Sequence, residues 1–392
     1  MSKTFQQIMD EARKEVKELS VQEVKDLVEK NGKHLLLDVR EKEEYREGHL
    51  EKAVSLPRGF LEIKVEATIA DKSTPVIAYC AGGVRSLLAA KAMKEMGYKD
   101  VISMSGGYAA WKAAGYKWAE ERRFTPEQKT RYSRHFMLPE VGEEGQAKLL
   151  DAKVLMVGAG GLGSPSAFYL AAAGVGTMGI IDNDVVDLSN LQRQILHSND
   201  RIGQPKAESA KQTIQALNPD VHVITYQEKL TSENIMEIIE DYDIVVDGCD
   251  NFPTRYLIND ACVMAKKPNV HGSIFQFEGQ ASVFYPGKGP CYRCLYPQPP
   301  PADMAPNCQE AGVLGVLPGL IGVIQALETI KLIIGKGEAL VGRLLCFNTL
   351  TMEITTLNLK ADPSCPLCGE KPSINSLIDY EEFCNLRAAH VA

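Results

Sequence analysis

Residues 153–184 read KVLMVGAGGLGSPSAFYLAAAGVGTMGIIDND. An apolar run, Val154 to Val157, meets a glycine turn. A run of helical length follows from Leu162 to Ala173, and a second short apolar run, Met178 to Ile181, closes on Asp182. Strand, turn, helix and strand in that order predict one unit of a parallel α/β sheet. Gly158, Gly160 and Gly163 fit the G-x-G-x-x-G spacing, in which small residues let the backbone approach a phosphate and let the helix sit close to the strand. The free amides of the helix start then face the anion. Asp182 stands about 20 residues on, where a carboxylate accepts hydrogen bonds from a ribose. The stretch therefore predicts an adenine nucleotide, and leaves open whether that is a hydride carrier or an ATP to be broken.

The 392 residues suffice for two or three domains with ordinary cores. With 45% hydrophobic and 24% charged residues, the chain has the composition of a folded, soluble protein. A net charge of −8 without a basic run argues against a general nucleic-acid binder, which needs a phosphate-neutralising surface. A small protein partner stays open. The first 19 residues are charged and helical in pattern, with no apolar core or cleavage site, so a cytoplasmic chain is expected. The one membrane-like stretch, Ala311 to Ile334, contains Pro318, Gln325, Glu328 and Lys331. A buried helix is predicted there, not a membrane span.

Upstream, helical patterns at Val21 to Lys30 and Leu87 to Met96 alternate with strand patterns at Leu35 to Val39, Val76 to Tyr79 and Val101 to Met104. They predict a second α/β domain. Cys80 ends one of those strands and opens a loop that closes on Arg85. Loop amides, a helix N-terminus and a guanidinium all favour a thiolate, which suits a cysteine carrying transferable sulfur. The alternative is a packing cysteine at a strand end.

Residues 35–57, LLLDVREKEEYREGHLEKAVSLP, followed by CAGGVRS at 80–86, resemble the rhodanese-like sulfurtransferase domain over nearly its whole length. The DVR, the EY-x-x-GH and the six-residue Cys-to-Arg loop all match. The resemblance implies that Cys80 accepts sulfane sulfur as a persulfide, with Arg85 helping to bind the anionic species. It implies mainly structural roles for Asp38, Arg40 and His49. The charged stretch Lys117 to Arg123 lacks an apolar repeat, so the expected domains are 1–120 and 121–392.

Thr125, Pro126 and Gln128 then predict a helix start, with the helix running through residue 138. Arg131 and Arg134 would share a face of it, by default a solvated one. Beyond Asp182, Asn190 and Arg193 follow in NLQRQ, and Lys206 in GQPK opens another helix. No P-loop is present, so Arg193 and Lys206 would have to neutralise a triphosphate and the charge of departing pyrophosphate. The strand at 243–248 delivers Asp247 and Asp250 near its C-terminal end, where a carboxylate can hold magnesium on the phosphates.

GAGGLG, DND, SNLQRQ, GQPK and the D-x-x-DN of Asp247 to Asn251 resemble the family of the molybdopterin-synthase adenylyltransferase, the thiazole-pathway adenylyltransferase and the ubiquitin-activating enzymes. The similarity runs from Thr125 to Gly369. It implies ATP- and magnesium-dependent adenylation of the C-terminal glycine of a ubiquitin-like protein. Residue by residue, it implies the loop Gly158, Gly160, Gly161 and Gly163 at the nucleotide and Asp182 on the ribose. Asn190, Arg193 and Lys206 would contact the phosphates and Asp250 the magnesium. Arg134 corresponds to an arginine supplied by the other subunit of a homodimer.

Two C-x-x-C pairs, Cys291/Cys294 and Cys365/Cys368, make the four-thiolate set of a closed structural zinc site. Such a site staples the C-terminal segment to the nucleotide domain and leaves no open position for catalysis. Cys249, Cys262, Cys346 and Cys384 read as packing residues. Cys308, in the Pro-rich ADMAPNCQEAGVLG, is either a bystander thiol or, by the resemblance, the cysteine that links covalently to the activated carrier.

The expected fold is thus a rhodanese-like α/β domain followed by a Rossmann-like nucleotide-binding α/β domain with a structural zinc site. The expected enzyme adenylates a ubiquitin-like sulfur carrier and then delivers sulfur from Cys80, directly or by way of Cys308, to leave a thiocarboxylate. A cysteine desulfurase would supply the sulfur. GQPK, CYRC and the EAGV segment look most like the molybdenum-cofactor branch, whose carrier is the small subunit of molybdopterin synthase; thiamine, cysteine and tRNA-thiolation carriers are the alternatives. A hydride-transferring enzyme and a non-catalytic scaffold for ubiquitin-like proteins are rivals of other classes. In one respect the chain departs from several known fusions, which place the rhodanese domain second.

Overall fold

The computed structural model describes residues 3–31, 33–120, 122–300 and 312–385. The chain divides into two compact units, Met1–Thr125 and Pro126–Ala392.

The first unit is built on five parallel strands in the order β1-β5-β4-β2-β3. They are β1 (Lys17–Leu19), β2 (Leu35–Asp38), β3 (Val54–Ser55), β4 (Val76–Tyr79) and β5 (Val101–Met104). Strands β4 and β5 are buried along their whole length, as parallel strands covered on both faces must be, which is why they read as mainly apolar runs, with Ser103 of β5 hydrogen-bonded to Ser86 at 3.0 Å. Cys80 follows the last residue of the central strand, β4. The next helix, Val84–Glu95, starts three residues before the expected Leu87, because Gly83 at φ 99° supplies a left-handed turn that ends the loop early. Arg85 accordingly lies in the first turn of that helix.

The second unit holds an eight-stranded sheet in the order β13-β12-β11-β10-β9-β6-β7-β8. The five strands β6 (Lys153–Val157), β7 (Thr177–Ile181), β8 (His222–Tyr226), β9 (Ile244–Asp247) and β10 (Asn269–Phe275) run parallel. From β10 the sheet continues antiparallel through β11 (Glu278–Phe284), β12 (Arg343–Asn348) and β13 (Glu353–Asn358). Strand β6 has β7 on one side and β9 on the other, so the chain reverses its winding there, and ligands bind at the C-terminal edge of such a switch point. The Gly163–Ala173 helix begins directly above it. A Cβ at Gly163 would stand 1.9 Å from the Gly158 carbonyl oxygen, so the close helix–strand contact admits glycine alone.

Val316–Ile334 is long and apolar enough to cross a membrane, yet it packs on the Gly163–Ala173 helix and on the sheet. Its polar groups find partners inside the unit, though not completely: Gln325 Nε2 donates to the carbonyls of Asp247 and Val270 (2.7 and 3.0 Å) and Glu328 accepts the Leu340 amide at 2.7 Å, while Gln325 Oε1 is buried without a partner among the described residues. The single helix expected over residues 126–138 is instead two short ones, Pro126–Arg131 and Ser133–Phe136. Tyr132 breaks it by turning inward, where its hydroxyl accepts from Asn218 Nδ2 at 2.9 Å. Arg131 turns back to donate to the Leu217 carbonyl (2.9 Å), while Arg134 is exposed.

Candidate functional site

The C-terminal edge of the second unit's sheet opens into a cavity of about 970 Å³. Gly158, Gly160 and Gly161 line it from the turn after β6, Asp182 from the end of β7, and Arg193, Lys206 and Asp250 from the loops and helix beyond. Asp182 is held rigidly: Oδ2 accepts the Ala159 amide at 2.8 Å and Oδ1 the Asp184 amide at 2.9 Å. Burial raises its pKa, opposed by Lys206 and those two amides. Lys206 is 6% exposed and reaches Asp184 at 2.7 Å, and Arg193 is anchored through one hydrogen bond of 3.1 Å to the Ser189 carbonyl. Two cations, a carboxylate and a glycine turn around one cavity can hold a nucleotide and offset the charge of its phosphates.

Asp247 and Asp250 were both candidates for magnesium, but Asp247 is buried and already spent. Its Oδ1 accepts the Cys249 amide and thiol (3.1 and 2.8 Å) and its Oδ2 contacts His271 Nδ1 at 2.7 Å. Burial would raise its pKa, yet the His271 contact brings it below the ordinary value. Asp250 is the exposed carboxylate of the pair. Asn190 is not among the lining residues. Its Oδ1 accepts the Asp187 amide at 3.2 Å and closes a capping box on a short 3₁₀ turn.

Arg134 lies outside the cavity lining, with Nη1 3.9 Å from the Met137 sulfur. Cys308 lies outside the described residues. Cys249 and Cys384, read as packing residues, both line the cavity, as do Arg255 and His271. Their convergence depends on long-range packing that leaves no local motif. Burial, and then Asp247, push the pKa of the Cys249 thiol well up.

In the first unit, Cys80 is 1% exposed and its sulfur accepts the Gly83 amide at 3.1 Å. Arg85 makes a two-pronged pair with Glu44, at 2.7 and 2.8 Å. Glu44, and after it the Cys80 sulfur, raise the Arg85 pKa. The guanidinium expected to serve an anion at Cys80 is therefore shared with an internal carboxylate. Asp38 and Arg40 form a buried pair at 2.6 Å, in keeping with a structural role.

Cys291, Cys294, Cys365 and Cys368 bring their sulfurs within 4.8 Å of one another. Three of the sulfur pairs are separated by 3.9, 3.6 and 3.4 Å. Tetrahedral thiolates at about 2.3 Å from a metal lie roughly 3.8 Å apart, so the set fits one ion. The Asp362 amide donates to the Cys294 sulfur at 3.4 Å, the kind of outer contact that steadies a thiolate ligand.

Residues 132–367 match the ThiF family and residues 20–114 the rhodanese-like domain. The chain is 50% identical over 270 residues to the sulfur carrier protein adenylyltransferase of Thermus thermophilus, covering 68% of this chain and 100% of that one. It is 52% identical over 259 residues to the adenylyltransferase and sulfurtransferase MOCS3 of Culex quinquefasciatus, covering 66% of this chain and 59% of the mosquito protein. Among solved structures it is similar to E. coli MccB crystallised with ATP, with a TM-score of 0.54 and 25% identity over 61% of this chain and 73% of that one.

Proposed function

The chain belongs to the ThiF family and carries a rhodanese-like domain as well, and from that premise we infer that it is an adenylyltransferase and sulfurtransferase acting on a ubiquitin-like sulfur carrier. The observation that carries the reading is the convergence of the glycine turn, Asp182, Arg193, Lys206 and Asp250 on one cavity. ATP lies with its ribose at Asp182 and its phosphates over the turn. Arg193 and Lys206 offset the charge that grows as pyrophosphate leaves. Asp250 is the residue that would hold magnesium, and the four cysteines would hold zinc, whose preference for four thiolates suits a closed structural site.

A carboxylate oxygen of the carrier's C-terminal glycine attacks the α-phosphorus, and the bond to pyrophosphate breaks. The terminal sulfur of a Cys80 persulfide then attacks the acyl carbon and AMP departs, leaving an acyl disulfide. A thiol, for which Cys308 is the candidate, cleaves the sulfur–sulfur bond and frees the thiocarboxylate; the protein disulfide left behind is reduced by a cellular dithiol. The persulfide is loaded by a cysteine desulfurase. Arg134 acts across a homodimer, and the cytoplasm supplies the ATP. The carrier is the small subunit of molybdopterin synthase, on the likeness of GQPK and CYRC to that branch.

Intact mass spectrometry tests this. A carrier incubated with the protein, ATP and a persulfide donor should gain the mass of sulfur replacing oxygen. Carrier-dependent exchange of ATP with labelled pyrophosphate without any such gain would remove the sulfur step. Absence of exchange with every carrier would remove the adenylation itself.

A further inference from the structure

The cavity continues past the groups that a nucleotide occupies. Sheet order runs β7, β6, β9, β10. Asp182 on β7 therefore marks the ribose end and the turn after β6 marks the phosphates. The ground over β9 and β10 lies on the side of the phosphates away from the ribose. Arg255, in the second turn of the Phe252–Ala265 helix that follows β9, lines the cavity there together with Tyr292 and Tyr296.

The state of that guanidinium is unusual. Its Nε is buried and has no hydrogen-bond partner among the described residues. Its Nη2 makes one long contact, 3.4 Å to the Cys249 carbonyl. Burial works against its charge, while Cys249, Tyr292, which also hydrogen-bonds it, and Asp247 favour it, and that carboxylate gives its own contacts to Cys249 and His271. A guanidinium presents five N–H donors in a rigid fork matched to a carboxylate, and burying such donors without an acceptor is unfavourable. Arg255 lines a cavity whose other cations are Arg193 and Lys206, which sit with the nucleotide loops, and Lys229, which is paired with Glu381 at 2.7 Å.

A carboxylate approaching a triphosphate meets like charge, and it must also present one oxygen toward the α-phosphorus. Both problems are met by a cation on the carboxylate's side of that phosphorus. We propose that Arg255 holds one oxygen of the carrier's C-terminal carboxylate while the other attacks the α-phosphorus, making Arg255 the group that selects and orients the acid. The new P–O bond forms as the bond to pyrophosphate breaks and pyrophosphate takes the electron pair. Arg255 stays protonated throughout. This rests on the adenylation reading given above.

The test compares wild type with Arg255→Gln and Arg255→Lys. In carrier-dependent ATP–pyrophosphate exchange, Arg255→Gln should raise KM for the carrier at least ten-fold and change KM for ATP less than two-fold. Arg255→Lys should fall between, since it restores the charge without the fork. Calorimetry in the presence of a non-hydrolysable ATP analogue adds a readout that a structural role would not move. Wild type should bind the carrier about ten-fold more tightly than the same carrier ending in a carboxamide, and Arg255→Gln should bind the two alike. An unchanged carrier KM in Arg255→Gln, or equal wild-type affinity for acid and amide, overturns the inference. So does a parallel loss of ATP and carrier binding in the folded variants, which would mean that Arg255 serves only to balance Asp247. If no carrier supports exchange in wild type, adenylation fails first and this inference with it.

Discussion

Glu44 grips Arg85 through both carboxylate oxygens, at 2.7 and 2.8 Å, from the helix turn that faces the Cys80 loop. Both side chains are 35% exposed, so the pair is screened and worth on the order of 1 kcal/mol. It nonetheless uses the cation that a persulfide or an anionic donor would seek. Replacing Glu44 by Gln should free Arg85 and lower KM for thiosulfate in a cyanide assay, by less than about ten-fold given that modest energy. An unchanged or raised KM would show that Glu44 does not compete for the guanidinium.

The same pair fixes a pH dependence. Arg85, through its hydrogen bonds, is the chief cause that holds the Glu44 pKa below the ordinary 4.5. A carboxylate lowered on folding stabilises the native state above its unfolded pKa and loses that contribution as pH falls through the folded value. Stability of the isolated rhodanese-like unit should therefore fall below pH 4.5 by less in Glu44→Gln than in wild type. Parallel thermal-denaturation profiles for the two proteins would contradict this.

Cys365→Ser should remove the bound metal. Wild type should contain one ion per set of four sulfurs, zinc by the donor chemistry. The variant should contain little, and its nucleotide unit should melt many degrees lower, since binding to a structural site is coupled to folding. Metal analysis by mass spectrometry settles the first point and calorimetry the second. A variant that retains full metal would mean that the four sulfurs do not act as one site.

What the sequence revealed follows from how local each signal is. The turn at Gly158 to Gly163, β4 and β5 are set by contiguous residues, and the expected bounds of Val76–Tyr79 and Val101–Met104 coincide with the strands. The two C-x-x-C pairs were legible because each carries its own spacing. Strand β13 was not: every residue of Glu353–Asn358 is exposed, so no burial pattern marks it, and its existence depends on pairing with β12. The roles of Asp247 and Asp250 were equally hidden. Three positions apart in one motif, they are told apart by His271, which reaches Asp247 from the neighbouring strand β10. Arg255 carried no motif, and its unpaired Nε appears only once the fold buries it beside the Cys249 carbonyl.

Asp260 ties three separate segments together. Its carboxylate receives Arg293 Nε and Nη2 at 2.8 and 2.7 Å and the Tyr380 hydroxyl at 2.9 Å. Arg293 lies between Cys291 and Cys294, and Tyr380 opens the helix that brings Cys384 to the cavity. The ion pair is fully buried, so removing one charge strands the other. Asp260→Asn should cost about 3–5 kcal/mol, read by denaturant unfolding of the whole chain. It should also loosen the Tyr380–Asn385 helix, read as faster hydrogen exchange there. A cost below about 1 kcal/mol would show that the three segments are held by apolar packing and not by this carboxylate.

Arg193 and Cys80 separate the two chemistries. Arg193 stands at the nucleotide cavity, where one preorganised charge acting on the transition state is typically worth a factor of about 10²–10³. Arg193→Ala should lower carrier-dependent ATP–pyrophosphate exchange by that factor while leaving the rhodanese-type transfer of sulfur to cyanide intact. Cys80→Ala should do the reverse, because on the proposed reading its sulfur is the nucleophile of the other compact unit and takes no part in breaking ATP. The decisive comparison is thiocarboxylate yield by mass spectrometry. Both variants should fail to make it, Arg193→Ala for want of the acyl-adenylate and Cys80→Ala for want of sulfur. Adding preformed acyl-adenylate should rescue the first and not the second. Rescue of Cys80→Ala would place the sulfur donor elsewhere, and full exchange in Arg193→Ala would leave the pyrophosphate charge to Lys206 alone.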